Sequence, residues 1–234
     1  MEYGQFCPVA KASEILGEKW TILIVRELLM GSTRFSELQR GLGHISPTIL
    51  AKRLAMLDDR GLVYRKRIPG LRGFEYHPTE PCKALLPIVL ALGDWGLRWT
   101  RTNLTESDYD VELLMLYLER SIVREKLPGG ETVIRFRFSD LKELSSWWIV
   151  VGADAVDVCT ADPGKDVDVY FKTTVKTMTD LWMGYVSYRK VLAEGRLEVT
   201  GPRALTGNIS SWLGSCLFAD LPAASEILGL SKSA

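Results

Sequence analysis

Residues 34–77 limit the fold more than any other part of the chain: RFSELQRGLGHISPTILAKRLAMLDDRGLVYRKRIPGLRGFEYH. A short amphipathic helix over 34–40 leads into a turn through Leu42, Gly43 and His44. Ser46 and Pro47 then open a second helix. A hydroxyl there caps free amides, and proline suits the first helical turn. That helix runs to about Arg60 and stops at Gly61. Two β-rich runs follow, 62–68 and 74–77, joined by Pro69-Gly70-Leu71-Arg72-Gly73. Helix, tight turn, helix and basic hairpin is the order of a winged helix-turn-helix, a unit that docks on duplex DNA.

Charge supports this reading. The 234 residues carry no net charge, yet residues 1–100 hold 14 Lys and Arg against 10 Asp and Glu, and residues 101–234 hold 15 against 19. The stretch 34–77 alone holds nine basic and four acidic residues, a net +5. A basic front and an acidic rear indicate a nucleic-acid half and a half with another task.

On a helical wheel at about 100° per residue, Leu50, Leu54 and Leu57 form one stripe, which predicts the buried side of the second helix. Thr48, Lys52, Ala55 and Asp59 fall opposite, with Ile49 between. The first turns of such a helix enter the major groove, so Thr48, Ile49 and Lys52 are the candidates for base edges. Ser46 is the expected cap, with free amides beside it for a phosphate. Arg34, Arg40 and Arg53 suit the DNA backbone, and Arg72 at the hairpin tip suits a phosphate or the minor groove. The plainer alternative is a solvated basic surface, with Arg53 paired to Asp58 or Glu37.

Around this segment the front half reads as helical. Helices are expected over 8–16 and 19–30, the second turning Trp20, Leu23, Ile24 and Leu28 to a core. A further helix over 82–99 follows a Thr79 cap and Pro81. It is apolar around most of its circumference, so it needs partners on more than one side, and a second copy of the chain would supply one. The polar tract 101–110 is the expected linker, which divides the chain into 1–100 and 111–234.

The rear half opens with a helix over 111–126. Alternating runs follow, with Phe136 and Phe138 flanked by arginines and Val167, Val169 and Phe171 flanked by acids, and then more helices. This is an α+β pattern with a mostly antiparallel sheet. Its large aromatics, Phe136, Phe138, Trp147, Phe171, Trp182 and Trp212, line either a cavity for an apolar ligand or a filled core. No Ser-His-Asp set, nucleotide loop or metal cluster is visible. The reading is therefore of a protein that is not an enzyme and needs no cofactor or metal. Cys7, Cys82, Cys159 and Cys216 are far apart with no CxxC spacing. No secretion signal and no run of about eighteen apolar residues is seen, so a cytoplasmic setting without a membrane span is expected.

Two resemblances sharpen these readings. Cys7-Pro8-Val9, Ile15-Leu16-Gly17-Glu18-Lys19-Trp20-Thr21, Arg34-Phe35-Ser36-Glu37-Leu38, Ile45-Ser46-Pro47-Thr48-Ile49-Leu50, Arg53-Leu54, Gly61-Leu62-Val63 and Glu75-Tyr76 resemble the HxlR family of bacterial winged-helix regulators over about residues 5–100. Pro81-Cys82 departs from the family's usual lysine-glycine. The resemblance implies a homodimer, held by the first and last helices of this half, on a two-fold operator. Some members sense oxidants at the position of Cys7. A thiol at a helix start with Lys11 one turn on suits that role, while a small buried hydrophobe is the alternative. The rear half is similar to the sterol-carrier-protein type-two fold over about residues 108–220. That similarity rests on Asp166-Val-Asp-Val-Tyr-Phe171, on the helix with Leu181 and Trp182, and on 194–201 (EGRLEVTG). It implies an apolar cavity for a lipid-like or aromatic effector. The combined expectation is a regulator controlled by a small hydrophobic molecule. Redox control through Cys7 stays open, as does a metabolite carrier with a winged-helix dimerisation module.

Overall fold

Burial of the Leu50, Leu54 and Leu57 stripe organises the first of two units in the computed structural model, which describes residues 2–70, 73–100 and 104–222. The units are Met1–Trp95 and Gly96 onward. In the first, helices α1 (Pro8–Leu16), α2 (Thr21–Leu29), α3 (Phe35–Gly41) and α4 (Pro47–Asp59) precede the antiparallel hairpin β1 (Val63–Arg67) and β2 (Phe74–Pro78). The leucine stripe of α4 packs with Ile24, Val25 and Leu28 of α2, Leu38 of α3, and Leu42 and Ile45 of the turn. Gly43 takes φ +58° there, a left-handed conformation that suits glycine. Ser46 caps α4, its Oγ accepting from Ile49 N at 3.3 Å. Tyr76 N donates to Thr33 O at 2.8 Å, stitching the hairpin to the start of α3.

A buried polar cluster holds α2 against α3. Glu27 is 0% exposed, and its carboxylate accepts from Arg26 Nη2 at 2.9 Å, from Arg26 Nε at 3.2 Å and from Ser32 Oγ at 3.3 Å. Arg26 Nη2 also donates to Gly41 O at 2.9 Å. A Cβ on Gly41 would lie 2.0 Å from Glu27 Oε2, so glycine makes room for the carboxylate.

Three expectations for this unit change. Leu23 is exposed, because α2 starts at Thr21 and turns Ile24, Val25 and Leu28 inward instead. The apolar run over 82–99 forms two helices, α5 (Glu80–Lys83) and α6 (Leu86–Thr100). The Thr79 hydroxyl does not cap α5. It donates to Gly61 O at 2.7 Å and Leu62 O at 3.0 Å, fastening the end of the hairpin to the end of α4.

The second unit is a sheet with helices over one face. Of the tract expected as a linker, residues 101–103 lie outside the described residues. Residues 106–108 form a 3-10 turn, in which the Asp108 carboxylate accepts from Thr105 N at 2.7 Å and Thr105 Oγ1 at 2.8 Å. Asp110 caps α7 (Val111–Arg120). The sheet has the order β5-β4-β3-β6-β7, from β3 (Thr132–Phe138), β4 (Ser146–Val151), β5 (Val156–Cys159), β6 (Val169–Thr173) and β7 (Glu198–Thr200). Only β3 and β6 pair in parallel. The period-2 alternation sends Ile134, Phe136, Phe138, Trp147, Ile149, Val169 and Phe171 to one face. Leu114, Met115 and Leu118 of α7 meet that face, as do Met178 and Leu181 of α8 (Val175–Trp182). Helices α9 (Tyr188–Ala193), α10 (Arg203–Thr206) and α11 (Ile209–Trp212) add Val191, Leu205 and Trp212. Asp168 precedes β6, and its carboxylate accepts from Val133 N at 2.8 Å.

Candidate nucleic-acid interface

With Leu50, Leu54 and Leu57 buried, the opposite side of α4 faces outward: Ser46, Thr48, Ile49, Lys52, Ala55 and Asp59 are all exposed. Among the described residues Lys52 makes no ion pair. Ser46 opens the helix; Pro47 has no amide hydrogen and Ile49 N donates to Ser46 Oγ, which leaves the Thr48 amide of the first turn for an outside acceptor. One turn of α4 thus carries a hydroxyl, a methyl-bearing apolar side chain and an ammonium together, the mix that reads base edges.

Arg34 is exposed at the start of α3. Its backbone N donates to Glu37 Oε2 at 3.0 Å, and Thr33 N donates to the same atom at 2.9 Å. Burial favours the protonated Glu37 carboxyl, but these two amides and the nearby Arg34 and Arg40 outweigh it, and the pKa falls below its ordinary value. In the hairpin, Arg65 Nε pairs with Asp58 at 2.8 Å, while Lys66 and Arg67 are exposed. Arg72 lies outside the described residues.

Arg53 corrects the expectation of a backbone contact. Its side chain is 16% exposed and points back into the unit. Arg53 Nη2 meets Glu18 Oε2 at 2.6 Å, and Nε donates to Lys19 O at 3.0 Å. Neither alternative partner is the one found, since Asp58 holds Arg65 and Glu37 caps α3.

Cys7 is exposed at the start of α1 within one chain. Lys11 Nζ is taken by Glu14 at 2.9 Å. Cys82 is the fully buried cysteine, and burial pushes its thiol up.

The six aromatics expected around a ligand cavity are engaged with the protein instead. Phe136 stacks on Phe171 at 4.8 Å between centroids, and Trp212 meets Phe171 edge-on at 6.1 Å. Trp182 stacks on Tyr117 at 4.7 Å. The indole N–H groups of Trp147, Trp182 and Trp212 donate to Leu144 O, Ser121 Oγ and Leu205 O, at 2.6, 2.8 and 2.9 Å. Polar tips satisfied in this way mark packed interior. A separate recess of about 440 Å³ lies between the α8–α9 connection and residues 213–220, and none of the six lines it. Sequence reasoning missed it because much of its wall, Gly184, Val186, Leu213 and Ala219 among it, comes from irregular segments without hydrophobic period.

Among the described residues no helix is long and apolar enough to cross a membrane. Comparison with known proteins separates the same two parts. Residues 15–104 match the HxlR-like helix-turn-helix family, and residues 114–213 match the SCP-2 sterol transfer family. The chain is 40% identical over 101 residues to the HTH-type transcriptional regulator YvaP of Bacillus subtilis, an alignment covering 42% of this chain and 94% of YvaP. It is 41% identical over 91 residues to the HTH-type transcriptional regulator MT3179 of Mycobacterium tuberculosis, covering 38% of this chain and 56% of that one. The quinone-bound structure of YodB from B. subtilis is 30% identical and covers 39% of this chain and 97% of YodB, with a TM-score of 0.34. The chain belongs to the HxlR-like helix-turn-helix family of transcriptional regulators.

Proposed function

We propose that the chain is a homodimeric DNA-binding regulator in which α4 enters the major groove of a two-fold operator. The observation that carries this is the exposed Thr48, Ile49 and Lys52 face of a helix whose other side is wholly buried. In this reading Arg34 and the Thr48 amide hold phosphates. The +5 charge of residues 34–77 supplies affinity without sequence choice. The test is selection from a random duplex pool. The protein should return a two-fold symmetric sequence with half-sites about one helical turn, or a multiple, apart. A pool left unenriched contradicts the proposal.

The dimer rests on α6, where Leu86, Ile88, Leu92 and Trp95 are all exposed and no residue is buried. At the other end of the unit, Phe6 and Val9 are exposed at the start of α1. A soluble chain seldom leaves so many large apolar side chains together in water.

Control by a small molecule falls to the second unit. The packed aromatics leave the recess beside Tyr188 and Leu213 as the better seat for it. Its walls mix apolar side chains with Ser187, Arg189, Ser210 and Asp220, which suits an amphipathic ligand more than a bare hydrocarbon. A ligand there changes DNA affinity only if it binds one arrangement of the dimer better than the other. Native mass spectrometry of freshly purified protein is expected to show a carried small molecule. An empty second unit whose melting does not respond to a fluorescent fatty acid contradicts the ligand reading. The carrier alternative predicts the same cargo but no duplex selection. Exposure alone does not carry the redox reading of Cys7.

A further inference from the structure

The corner between α1 and α2 holds a residue in a conformation it would not choose. Thr21 N donates to Glu18 O at 3.0 Å, closing a four-residue turn. Trp20 occupies its third position with φ +80° and ψ −20°. Those are the angles of a type II turn, where glycine is the usual occupant. A bulky residue held there is strained and persists only when its surroundings impose it. Thr21 follows, fully buried, with an Oγ1 that has no hydrogen-bond partner among the described residues.

What imposes the turn comes from α4. A type II turn differs from the commoner type I by a flip of its central peptide, here the one joining Lys19 to Trp20. Arg53 Nε donates to the carbonyl of that peptide at 3.0 Å, and Arg53 Nη2 grips Glu18, the first residue of the turn, at 2.6 Å. Two prongs of one planar guanidinium therefore fix both the first residue of the corner and the orientation of its central peptide. Lys52, the candidate base reader, is the residue just before Arg53 in the helix.

We propose that Arg53 is a positioning residue. It clamps the Glu18–Thr21 corner in its left-handed form, and the clamp in turn sets the rotation at which α4 presents Thr48 and Lys52. Loss of the clamp frees the Lys19–Trp20 peptide to flip and relieve Trp20, and α4 loses its anchor to the α1–α2 corner. The proposal rests on the reading that α4 enters DNA, and it differs from that reading in giving Arg53 no phosphate to hold.

Arg53→Lys separates the two roles. Lysine keeps the charge a phosphate needs, but one ammonium does not reproduce the fork that spans Glu18 and Lys19 O. On a duplex selected by the wild-type protein, Arg53→Lys should bind at least fivefold more weakly. Arg53→Ala should bind more weakly still, with the slope of affinity against salt unchanged. Binding within twofold of wild type for Arg53→Lys would overturn the proposal. So would a salt slope that falls by about one with Arg53→Ala, the mark of a lost phosphate contact. Trp20→Gly supplies the internal control, because glycine takes the turn without strain. In a Trp20→Gly chain the Arg53→Lys penalty should shrink below twofold, and an undiminished penalty counts against the clamp. The same pairwise coupling read by thermal melting needs no DNA, so it decides the corner even if no duplex is selected. Additive melting shifts there would reject the clamp.

Discussion

Leu92→Glu with Trp95→Glu should yield a folded monomer that binds the selected duplex about a hundredfold or more weakly than the native chain. Both side chains are already half in water within one chain, at 48% and 58% exposure, so the substitutions remove little internal packing. Their cost falls on association. Burying a large apolar side chain is worth about 1.5–3 kcal/mol, and each half-exposed residue of α6 has roughly half of that left to gain, once in each copy. Glutamates facing their symmetry mates add like-charge repulsion and desolvation. A monomer engages one half-site. It thereby loses the second, effectively intramolecular contact, which is worth about 10²- to 10⁴-fold. Light scattering reads the mass and fluorescence anisotropy the affinity. A dimer that survives both glutamates would show that α6 is not the seam. A monomer with native affinity would show that dimerisation does not serve DNA binding.

The second large effect lies inside the first unit. Arg26→Ala takes the guanidinium away from the Glu27 carboxylate, which is 0% exposed and also accepts from Ser32 Oγ at 3.3 Å. It also leaves Gly41 O without the guanidinium that ties the end of α3 to α2. Breaking a buried pair from one side typically costs about 3–5 kcal/mol, against a total of about 5–15 kcal/mol for a domain. The melting temperature of this unit should therefore drop on the order of 15–30 °C. Arg26→Leu combined with Glu27→Leu should recover most of that loss, because removing both partners leaves no uncompensated charge buried. A melt of Arg26→Ala within a few degrees of native would mean that water reaches Glu27 and that the cluster contributes little.

How much of this was legible beforehand depends on the range of the interaction. The α4 stripe was, because helical period is local and Leu50, Leu54 and Leu57 obey it; the same holds for Ser46, whose capping bond spans three residues. Arg53 was misassigned because its partners lie 34 and 35 residues earlier, and no local rule marks Glu18 and Lys19 as neighbours of α4. Trp20 was read only as an apolar residue of the second helix. The left-handed turn it occupies is imposed by tertiary contacts, whereas a local reading would ask for glycine there. In the second unit, alternation correctly sent Phe136, Phe138 and Phe171 inward. Period 2 states only which face a side chain takes, and says nothing about whether that face encloses a void. The stacking of Phe136 on Phe171 and the donated indole N–H of Trp212 are outcomes of packing, and so is the recess built from loops beside them.

The account stands or falls on α4 reading bases, and Lys52→Ala tests that most directly. Anisotropy titrations would compare native and Lys52→Ala chains on the selected duplex and on a scrambled one, at one salt concentration. The expected result is a loss of about 1–3 kcal/mol on the selected duplex and a much smaller one on the scrambled duplex, so that selectivity collapses. Equal losses on both would leave Lys52 a phosphate contact only, and no loss on either would place the recognition surface elsewhere.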